Sequence, residues 1–384
     1  MRIAYVAAPW LPVPPPAYGG SEVVIDRLAR GVKQAGHEVM LFTTGDSSCP
    51  VDRRWTRPDA VPDLIGEVGV ELAHVIGAYA AVRDWGADIV HDHTLSGPAY
   101  ARTVTTMPVV TTNHGPFTED LSVIYRDAAK SAAIVAISHA QAATAGNIPV
   151  TRIIHHGVDP TQYPMGEGQG GFYLFLGRMC ADKGVREAAL IALAAGVRLL
   201  IAAKMRAPSE RAYFETQVKP LLTNKVQFIG EVAGPAKAEL LGAAAALLNP
   251  ICWPEPFGLV MIEALACGTP VLTYPLGSAP EIIDHNKTGF LCQNEAQMVA
   301  RLGEVSQLDR RTCRRAAQER FSQQRMVDEH LSLYAELLTR AAHRAADVER
   351  AVIAEPHRRI MATDFGTSIP PVGRLTSPPN GVGR

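Results

Sequence analysis

Short apolar segments alternate with helical segments along most of this 384-residue chain, and that alternation limits its fold more than any other feature. Segments typical of buried strands cover residues 3–7, 39–43, 89–93, 109–113, 134–138 and 152–155, and then 172–177, 198–202, 226–229, 246–249, 270–273 and 289–292. Helical segments between them include residues 21–35, 181–194, 208–222 and 257–267. Because strands separated by helices form β-α-β units around a parallel sheet, the sequence predicts an α/β protein with two doubly wound domains. Ligands are expected at the carboxyl ends of the strands, where the halves face each other across a cleft.

Length and local composition predict the domain boundaries. A chain of 384 residues exceeds one ordinary hydrophobic core, so we expect a first domain over residues 1–158 and a second over residues 172–320. Residues 159–171 are rich in glycine and proline and are predicted to be the linker. Residues 321–346 form an amphipathic helical segment, and residues 356–384 are predicted to be a disordered tail.

Charge and composition exclude several classes of protein. The formal net charge of −1 offers no electrostatic basis for binding nucleic acid and allows peripheral membrane contact at most. Six scattered cysteines, without a C-x-x-C pair or a Cys/His cluster, argue against zinc and disulfides and for a reducing compartment. The first residues lack the apolar region and cleavage site of a signal peptide, so we expect a cytoplasmic protein.

The segment from residue 254 to residue 271 carries the most specific chemical pattern. Glu255 stands in a Pro-flanked loop, and Glu263 lies in an apolar helical run that we expect to begin at Phe257 and Gly258. Free N–H groups at a helix start, with the helix dipole behind them, make an anion site. A ligand with phosphate at that point could place one hydroxylated ring against Glu255 and another against Glu263, which lies about 7–8 Å along the helix. A nucleotide-sugar has this layout of sugar, diphosphate and ribose.

The spacing E-P-F-G-L-x-x-x-E-A-x-A-x-G-x-P-V in this segment resembles the signature of retaining glycosyltransferases of family 4. Further landmarks of that family follow in the expected order within residues 1–340: Gly19-Gly20-Ser21-Glu22, Asn113-His114-Gly115, Gly157-Val158-Asp159, Gly177-Arg178 and Lys183-Gly184. The resemblance implies a GT-B fold of two Rossmann-like domains. It also implies transfer of a hexose from a nucleotide-sugar donor to an acceptor, with retention of the anomeric configuration. Many GT-B enzymes send a final helix back to the first domain, and residues 321–346 are expected to do so.

The resemblance assigns the donor diphosphate to basic residues and to glycine-rich backbone. Arg178 closes a strand and Lys183 opens the next helix, where both can neutralise phosphate charge. In the family these positions stabilise the leaving diphosphate, whose negative charge grows in the transition state. The same role is expected of Gly19, Gly20, Phe257, Gly258 and Leu259. With these groups present, the reaction is expected to need no cofactor and no Mg²⁺.

The resemblance also implies contacts to the sugar, the ribose and the base. Glu255 is expected to orient the transferred sugar and to steady its developing positive charge, and Glu263 to bind the ribose hydroxyls. His114, at the carboxyl end of a strand, matches a family histidine that contacts the sugar. The base is expected near Gly230, Glu231 and Val232, largely through backbone contacts.

The remaining histidines near the predicted site are harder to assign. We expect the side chains of His91 and His93 on opposite faces of their strand, which argues against metal binding and leaves acceptor contact open for Asp92 or His93. His156 stands where the family usually has asparagine. Whether His156 replaces the hydrogen bonds of that asparagine is left open by the sequence.

Two alternative functions stay open. A nucleotide-sugar epimerase or a phosphorylase shares the GT-B architecture, although the pair of glutamates speaks against both. A sugar-nucleotide-binding protein without turnover is the second alternative.

Residues 166–171 match the dinucleotide-binding pattern G-x-G-x-x-G, but they precede a strand instead of following one, so we assign them to the linker. The acceptor is expected to be a sugar, a lipid-linked molecule or another small molecule.

Overall fold

The computed structural model of the protein describes residues 1–354. Thirteen strands lie within that range: β1 (Arg2–Val6), β2 (Glu38–Thr43), β3 (Asp52–Trp55), β4 (Ile89–Asp92), β5 (Val109–Thr112), β6 (Ala132–Ala136), β7 (Val150–Ile153), β8 (Tyr173–Arg178), β9 (Leu199–Lys204), β10 (Val226–Gly230), β11 (Leu247–Asn249), β12 (Val271–Thr273) and β13 (Gly289–Leu291). They form two parallel sheets, one in the order β3-β2-β1-β4-β5-β6-β7 and one in the order β10-β9-β8-β11-β12-β13. In both sheets the order reverses beside the first strand, which is the arrangement of a doubly wound fold.

Helices connect successive strands over the same described range. They are α1 (Gly20–Gln34), α2 (Val68–Trp85), α3 (Gly97–Val104), α4 (Glu119–Ala128), α5 (His139–Ala143), α6 (Val185–Ala195), α7 (Pro208–Tyr213), α8 (Gly234–Ala243), α9 (Leu259–Ala266), α10 (Ala279–Ile282), α11 (Glu295–Leu302), α12 (Arg310–Arg320) and α13 (Gln323–Ala354). Short 3-10 turns cover Pro62–Leu64, Pro160–Gln162, Ala181–Lys183, Lys219–Leu221 and Val305–Gln307, and a π-helical turn covers Phe214–Val218.

Strand β1 shows why the strand segments of the sequence are continuous apolar runs. Ile3 and Tyr5 pack into a core on one face of the first sheet, whereas Ala4 and Val6 pack into a second core on the other face. All four side chains are fully buried. Because helices cover both faces of a parallel sheet, alternate positions along the strand are equally apolar.

The fold predicted from the sequence is confirmed, and each of the twelve predicted strands is present to within two residues at either end. The strand that the sequence did not predict is β3, an edge strand of sequence DRRW in which no residue is buried. The predicted helix over 181–194 is interrupted, because Gly184 adopts a φ of +73° between a 3-10 turn and α6. The predicted helix over 208–222 is a succession of α, π and 3-10 turns.

Residues Met1–Leu338 form one compact unit. Within it, the first turns of α13 pack on the first sheet: the Tyr334 hydroxyl lies 2.6 Å from Nδ1 of His91 and 3.3 Å from the Tyr5 hydroxyl. The predicted tail, residues 356–384, lies outside the described residues. Within residues 1–354, every helix is too short or too polar to pass through a lipid bilayer.

Candidate active site

A cavity of about 770 Å³ opens between the two sheets, within the range of volumes that hold small ligands. Two predicted site residues, Arg178 and Gly230, do not line this cavity, although Gly177 does. Those that line it are Gly19, Gly20, His114, Lys183, Glu231, Val232, Glu255, Phe257, Gly258, Leu259 and Glu263. The fold therefore brings most of the predicted residues, drawn from both halves of the chain, to one place.

The loop that carries Glu255 is held by a turn about twenty residues later in the chain. Gly277 has a φ of +56°, and a Cβ there would lie 2.3 Å from the Glu255 carbonyl oxygen. Ser278 donates its backbone N–H to that oxygen at 3.0 Å, and its hydroxyl donates to the Phe257 carbonyl. This brace requires glycine at position 277 because only glycine tolerates both the conformation and the close approach. The sequence analysis missed it.

Helix α9 begins at Leu259, two residues later than the sequence predicted. Gly258 has a φ of +81°, and this left-handed conformation cannot belong to a right-handed helix. Gly258, Leu259 and Val260 line the cavity. Because the first N–H groups of a helix have no acceptor inside it, the start of α9 keeps the character of an anion site.

Lys183 and Glu255 form an ion pair at the cavity, and the ammonium of Lys183 donates to Oε1 of Glu255. Their side chains are only 12% and 14% exposed. The ammonium also lies 5.6 Å from the centre of the Trp253 ring. Gly184 packs closely against the backbone carbonyl of Pro250, and a Cβ at position 184 would lie 1.9 Å from that carbonyl oxygen. Because glycine has no side chain, the turn that carries Lys183 can lie close to the end of β11. The residue predicted for the phosphate and the residue predicted for the sugar thus contact each other directly.

Glu263 is the centre of a buried charged cluster that joins the two halves. Its Oε1 accepts hydrogen bonds from Arg27 of α1 at 3.1 Å and from the Tyr163 hydroxyl at 2.7 Å, and its Oε2 accepts one from Lys237 of α8 at 2.9 Å. Arg27 also donates to the Gly157 carbonyl at 3.0 Å. Burial by itself raises the pKa of Glu263, but the charges of Lys237 and Arg27 outweigh it and hold that pKa at about 2. The carboxylate is therefore ionised at neutral pH.

Three histidines form a row on the first-half side of the cavity. Nε2 of His114 lies 2.9 Å from Nδ1 of His93, and the His114 ring stacks on His156 with centroids 5.3 Å apart. His156 meets Phe257 of the second half edge-on at 5.1 Å. Burial lowers the pKa of His114 to about 4, with His330 adding to the effect, and burial also lowers the pKa values of His93 and His156 well below the ordinary value. All three imidazoles are therefore neutral at pH 7.

The expectation that His91 and His93 lie on opposite strand faces is wrong. Residues two apart along a strand point to the same side, and the two rings lie with centroids 4.1 Å apart. Neither Asp92 nor His93 lines the cavity. Asp92 accepts hydrogen bonds from the Tyr79 hydroxyl at 2.8 Å and from the backbone and hydroxyl of Thr94, so its carboxyl faces the protein interior.

At the predicted base region, Glu231 joins the two halves a second time. Its Oε1 accepts the backbone N–H of Tyr18 at 2.9 Å, and both of its oxygens accept from Arg206 at 3.1 Å. The Tyr18 ring lies 5.6 Å from the ammonium of Lys204, a cavity-lining residue at the end of β9.

Four further residues belong to this site although no sequence motif predicted them: Arg27, Tyr163, Lys237 and Lys204. Each stands outside the recognised motifs, and all they have in common in the sequence is a basic or phenolic side chain. Their role emerges only when the halves meet, because Glu263 is 236 residues from Arg27 and 100 from Tyr163.

Comparison with known proteins assigns the family. The family model described as Glycosyltransferase Family 4 matches residues 18–162, and the model described as Glycosyl transferases group 1 matches residues 168–320. The chain belongs to glycosyltransferase family 4. The resemblance drawn from the sequence is thereby confirmed, and the architecture is the GT-B fold.

Three proteins illustrate what this chain is similar to. An uncharacterized glycosyltransferase of Methanocaldococcus jannaschii is 25% identical over 340 residues, which cover 76% of this chain and 84% of that protein. The crystal structure of AviGT4, a glycosyltransferase involved in avilamycin A biosynthesis, is 26% identical with a TM-score of 0.65, over 88% of this chain and 98% of that one. Anabaena HepE in complex with UDP-glucose shares the fold at 19% identity and a TM-score of 0.68, over 88% of this chain and 99% of that one.

Proposed function

We propose that this glycosyltransferase moves a hexose from a nucleotide-sugar to a hydroxyl acceptor, keeps the anomeric configuration of the donor and needs no metal ion for the transfer. The observation that carries the proposal is the convergence of Glu255, Glu263, Lys183 and the start of α9 on one cavity that His114 faces from the other half. Crystals of the fold relative HepE with UDP-glucose support a donor of this class.

In this proposal the diphosphate lies at the start of α9 and draws the Lys183 ammonium away from Glu255. The diphosphate as a whole carries more negative charge than one carboxylate and accepts more hydrogen bonds, so Lys183 and the backbone N–H groups favour it. Glu255 is then released to face the transferred sugar. Glu263 is about 6 Å along α9 from Leu259 and lies within reach of the ribose hydroxyls.

The low basicity of His114 supports retention. An inverting transferase needs a general base on the face of the sugar opposite the leaving group, with a pKa near the working pH. A pKa of about 4 leaves His114 a weak base. We therefore assign the acceptor proton to the leaving diphosphate on the same face, with Glu255 steadying the positive charge that develops on the sugar. The acceptor oxygen forms its bond to the anomeric carbon as the bond to the diphosphate breaks.

Protein cations supply the charge that a metal would otherwise bring to the leaving group. Lys183 and the start of α9 line the cavity, and Arg178 lies at the end of β8, one residue beyond the cavity-lining Gly177. Fixed donors that stabilise developing charge commonly contribute more to such catalysis than any other single effect. We expect full activity in the presence of EDTA.

The deciding experiment is NMR of the product's anomeric proton. UDP-, GDP- and ADP-glucose are supplied as α-configured donors with alkyl glycosides as model acceptors, in EDTA, and an α-linked product is expected. A β-linked product would overturn retention, and activity restored only by Mg²⁺ would overturn metal independence. An epimerised nucleotide-sugar without transfer, or binding without turnover, would instead favour one of the two alternatives that the family assignment disfavours.

A further inference from the structure

Two imidazoles and a carboxylate meet outside the cavity, at the boundary between the two halves. His139 is the first residue of α5, His155 follows β7, and Glu281 belongs to α10 of the second half. One ligand atom from each lies within 4.8 Å of the other two, and Nε2 of His155 is 2.8 Å from Oε2 of Glu281. None of the three residues lines the cavity.

The surroundings hold two of these groups in place. The carboxylate of Glu281 accepts the backbone N–H groups of His139 at 2.9 Å and Ala140 at 2.7 Å, which fix its orientation toward the first half. The ring of His155 packs against the rings of Phe257 and Phe321, with centroid distances of 5.7 and 5.8 Å. Outer contacts of this kind orient the ligands of metal sites and strengthen binding.

Nearby cations are already neutralised by partners of their own. Arg320 pairs with Asp284 at 2.7 Å, and Arg325 pairs with Glu329 at 2.9 Å. Each guanidinium also donates to a backbone carbonyl beside the cluster, that of Glu281 or that of His155. Glu281 therefore contributes the negative charge that faces the two imidazoles, which suits a divalent cation.

We propose that His139, His155 and Glu281 bind one divalent transition-metal ion of the zinc class and so tie the first half of the chain to the second. Two imidazole nitrogens and one carboxylate oxygen are a familiar three-ligand set for Zn²⁺, with bonds of about 2.0–2.2 Å and a fourth position for water. The ion takes the place of the proton shared by His155 and Glu281. The exposed His139 side chain needs to approach by no more than about 1.5 Å to reach tetrahedral spacing.

An ion at this place stabilises the closed arrangement of the halves without entering the transfer reaction. Any ligand that binds only the folded chain raises its stability, by an amount that grows with concentration.

The test uses the full chain after EDTA treatment, with Co²⁺ followed by visible absorption and Zn²⁺ by calorimetry and thermal melting. We expect one Co²⁺ per chain, displaced by Zn²⁺, and a higher Tm with Zn²⁺. His139→Ala is expected to weaken binding at least tenfold and to abolish the Tm shift, and Glu281→Gln is expected to weaken binding as well. His343→Ala, at an exposed histidine of α13, is the matched control and keeps wild-type affinity.

The proposal is overturned if no saturable binding occurs, or if His139→Ala binds Co²⁺ as tightly as the wild type does. Transfer activity measured in EDTA separates this outcome from the proposed function. His139→Ala is expected to keep the wild-type rate there, because His139 lies outside the cavity.

Discussion

The two halves of this glycosyltransferase share one type of fold but present different chemistry to the cavity between them. The first half presents a row of imidazoles, in which His114 stacks on His156 and contacts His93 behind it, and adds the cation Arg27 from α1. The second half presents charges in pairs, Lys183 with Glu255 and Lys237 with Glu263. Both surfaces lie at the carboxyl ends of parallel strands, so the difference comes from side chains and not from topology.

The contrast shows two ways of keeping polar groups in a sheltered site. Imidazoles stay neutral when buried, because desolvation disfavours their charged form. Carboxylates remain ionised only when cations lie beside them, as Lys237 and Arg27 do at Glu263. The neutral surface formed by these imidazoles suits uncharged hydroxyl groups, and the charged surface around the two glutamates suits a diphosphate. We therefore propose that the acceptor lies on the side of the first half and that the second half binds the nucleotide-sugar.

The largest expected effect comes from removing the carboxylate at the centre of the charged surface. Glu263→Ala leaves the buried Arg27 and the partly buried Lys237 without their anion, which should cost about 3–5 kcal/mol in the free energy of unfolding. Loss of a charged hydrogen bond to the ribose should also weaken donor binding about tenfold to a hundredfold. Urea unfolding and calorimetry with UDP measure the two effects, with Glu239→Ala at the exposed cavity rim as control. A destabilised variant with unchanged nucleotide affinity would remove Glu263 from the donor site.

Glu255→Gln tests whether charge or shape matters next to the sugar. The variant keeps the size of the side chain but removes its charge, so turnover should fall about 10²- to 10³-fold with a much smaller change in donor affinity. Steady-state rates compared with those of Glu239→Gln measure the effect. Full turnover in Glu255→Gln would contradict the role proposed for this carboxylate.

Lys183→Met separates the phosphate contact from the ion pair with Glu255. Loss of a charge-assisted contact to the diphosphate should lower turnover about tenfold to a hundredfold. Lys287→Met, at an exposed lysine outside the cavity, should leave the rate unchanged. If Lys183→Met is as active as Lys287→Met, the ammonium serves only to hold Glu255. Arg178→Ala, tested in parallel, shows whether Arg178, which lies just outside the cavity, also helps to neutralise the charge of the diphosphate.

The smallest expected effect concerns the neutral surface and its response to pH. The pKa of His156 in the folded chain lies well below its ordinary value, so the unfolded chain binds the extra proton first as the pH falls. Stability is therefore retained above about pH 6.5 and lost below it, by about 1.4 kcal/mol per pH unit for each such histidine. His156→Asn introduces the residue that is usual in the family. Between pH 6.5 and 4.5 the free energy of unfolding of this variant should fall less steeply with pH, and the difference in slope should equal the contribution of one histidine. Equal slopes in urea unfolding of the two proteins would show that His156 is not held neutral.

Much of the fold could be predicted because its signals are local. A buried parallel strand reads as a short apolar run, and a helix between two such runs implies a parallel connection. Strand β3 escaped prediction since an exposed edge strand carries no apolar run. The helix start at Phe257 was placed two residues early, because the fixed φ of Pro256 suggested a helix start, whereas the sequence does not reveal that Gly258 adopts a left-handed conformation and so lies before the helix.

The family signature determined by itself the fold, the transferase class and a set of residues most of which line the cavity, because these depend on spacing within short segments. Only the tertiary structure decided what each of those residues contacts. It paired Lys183 with Glu255, surrounded Glu263 with Arg27, Tyr163 and Lys237, and aligned His156 with His114. These contacts join residues up to 236 positions apart, and their energies depend on burial and charge at the point where the halves meet, which no local pattern encodes.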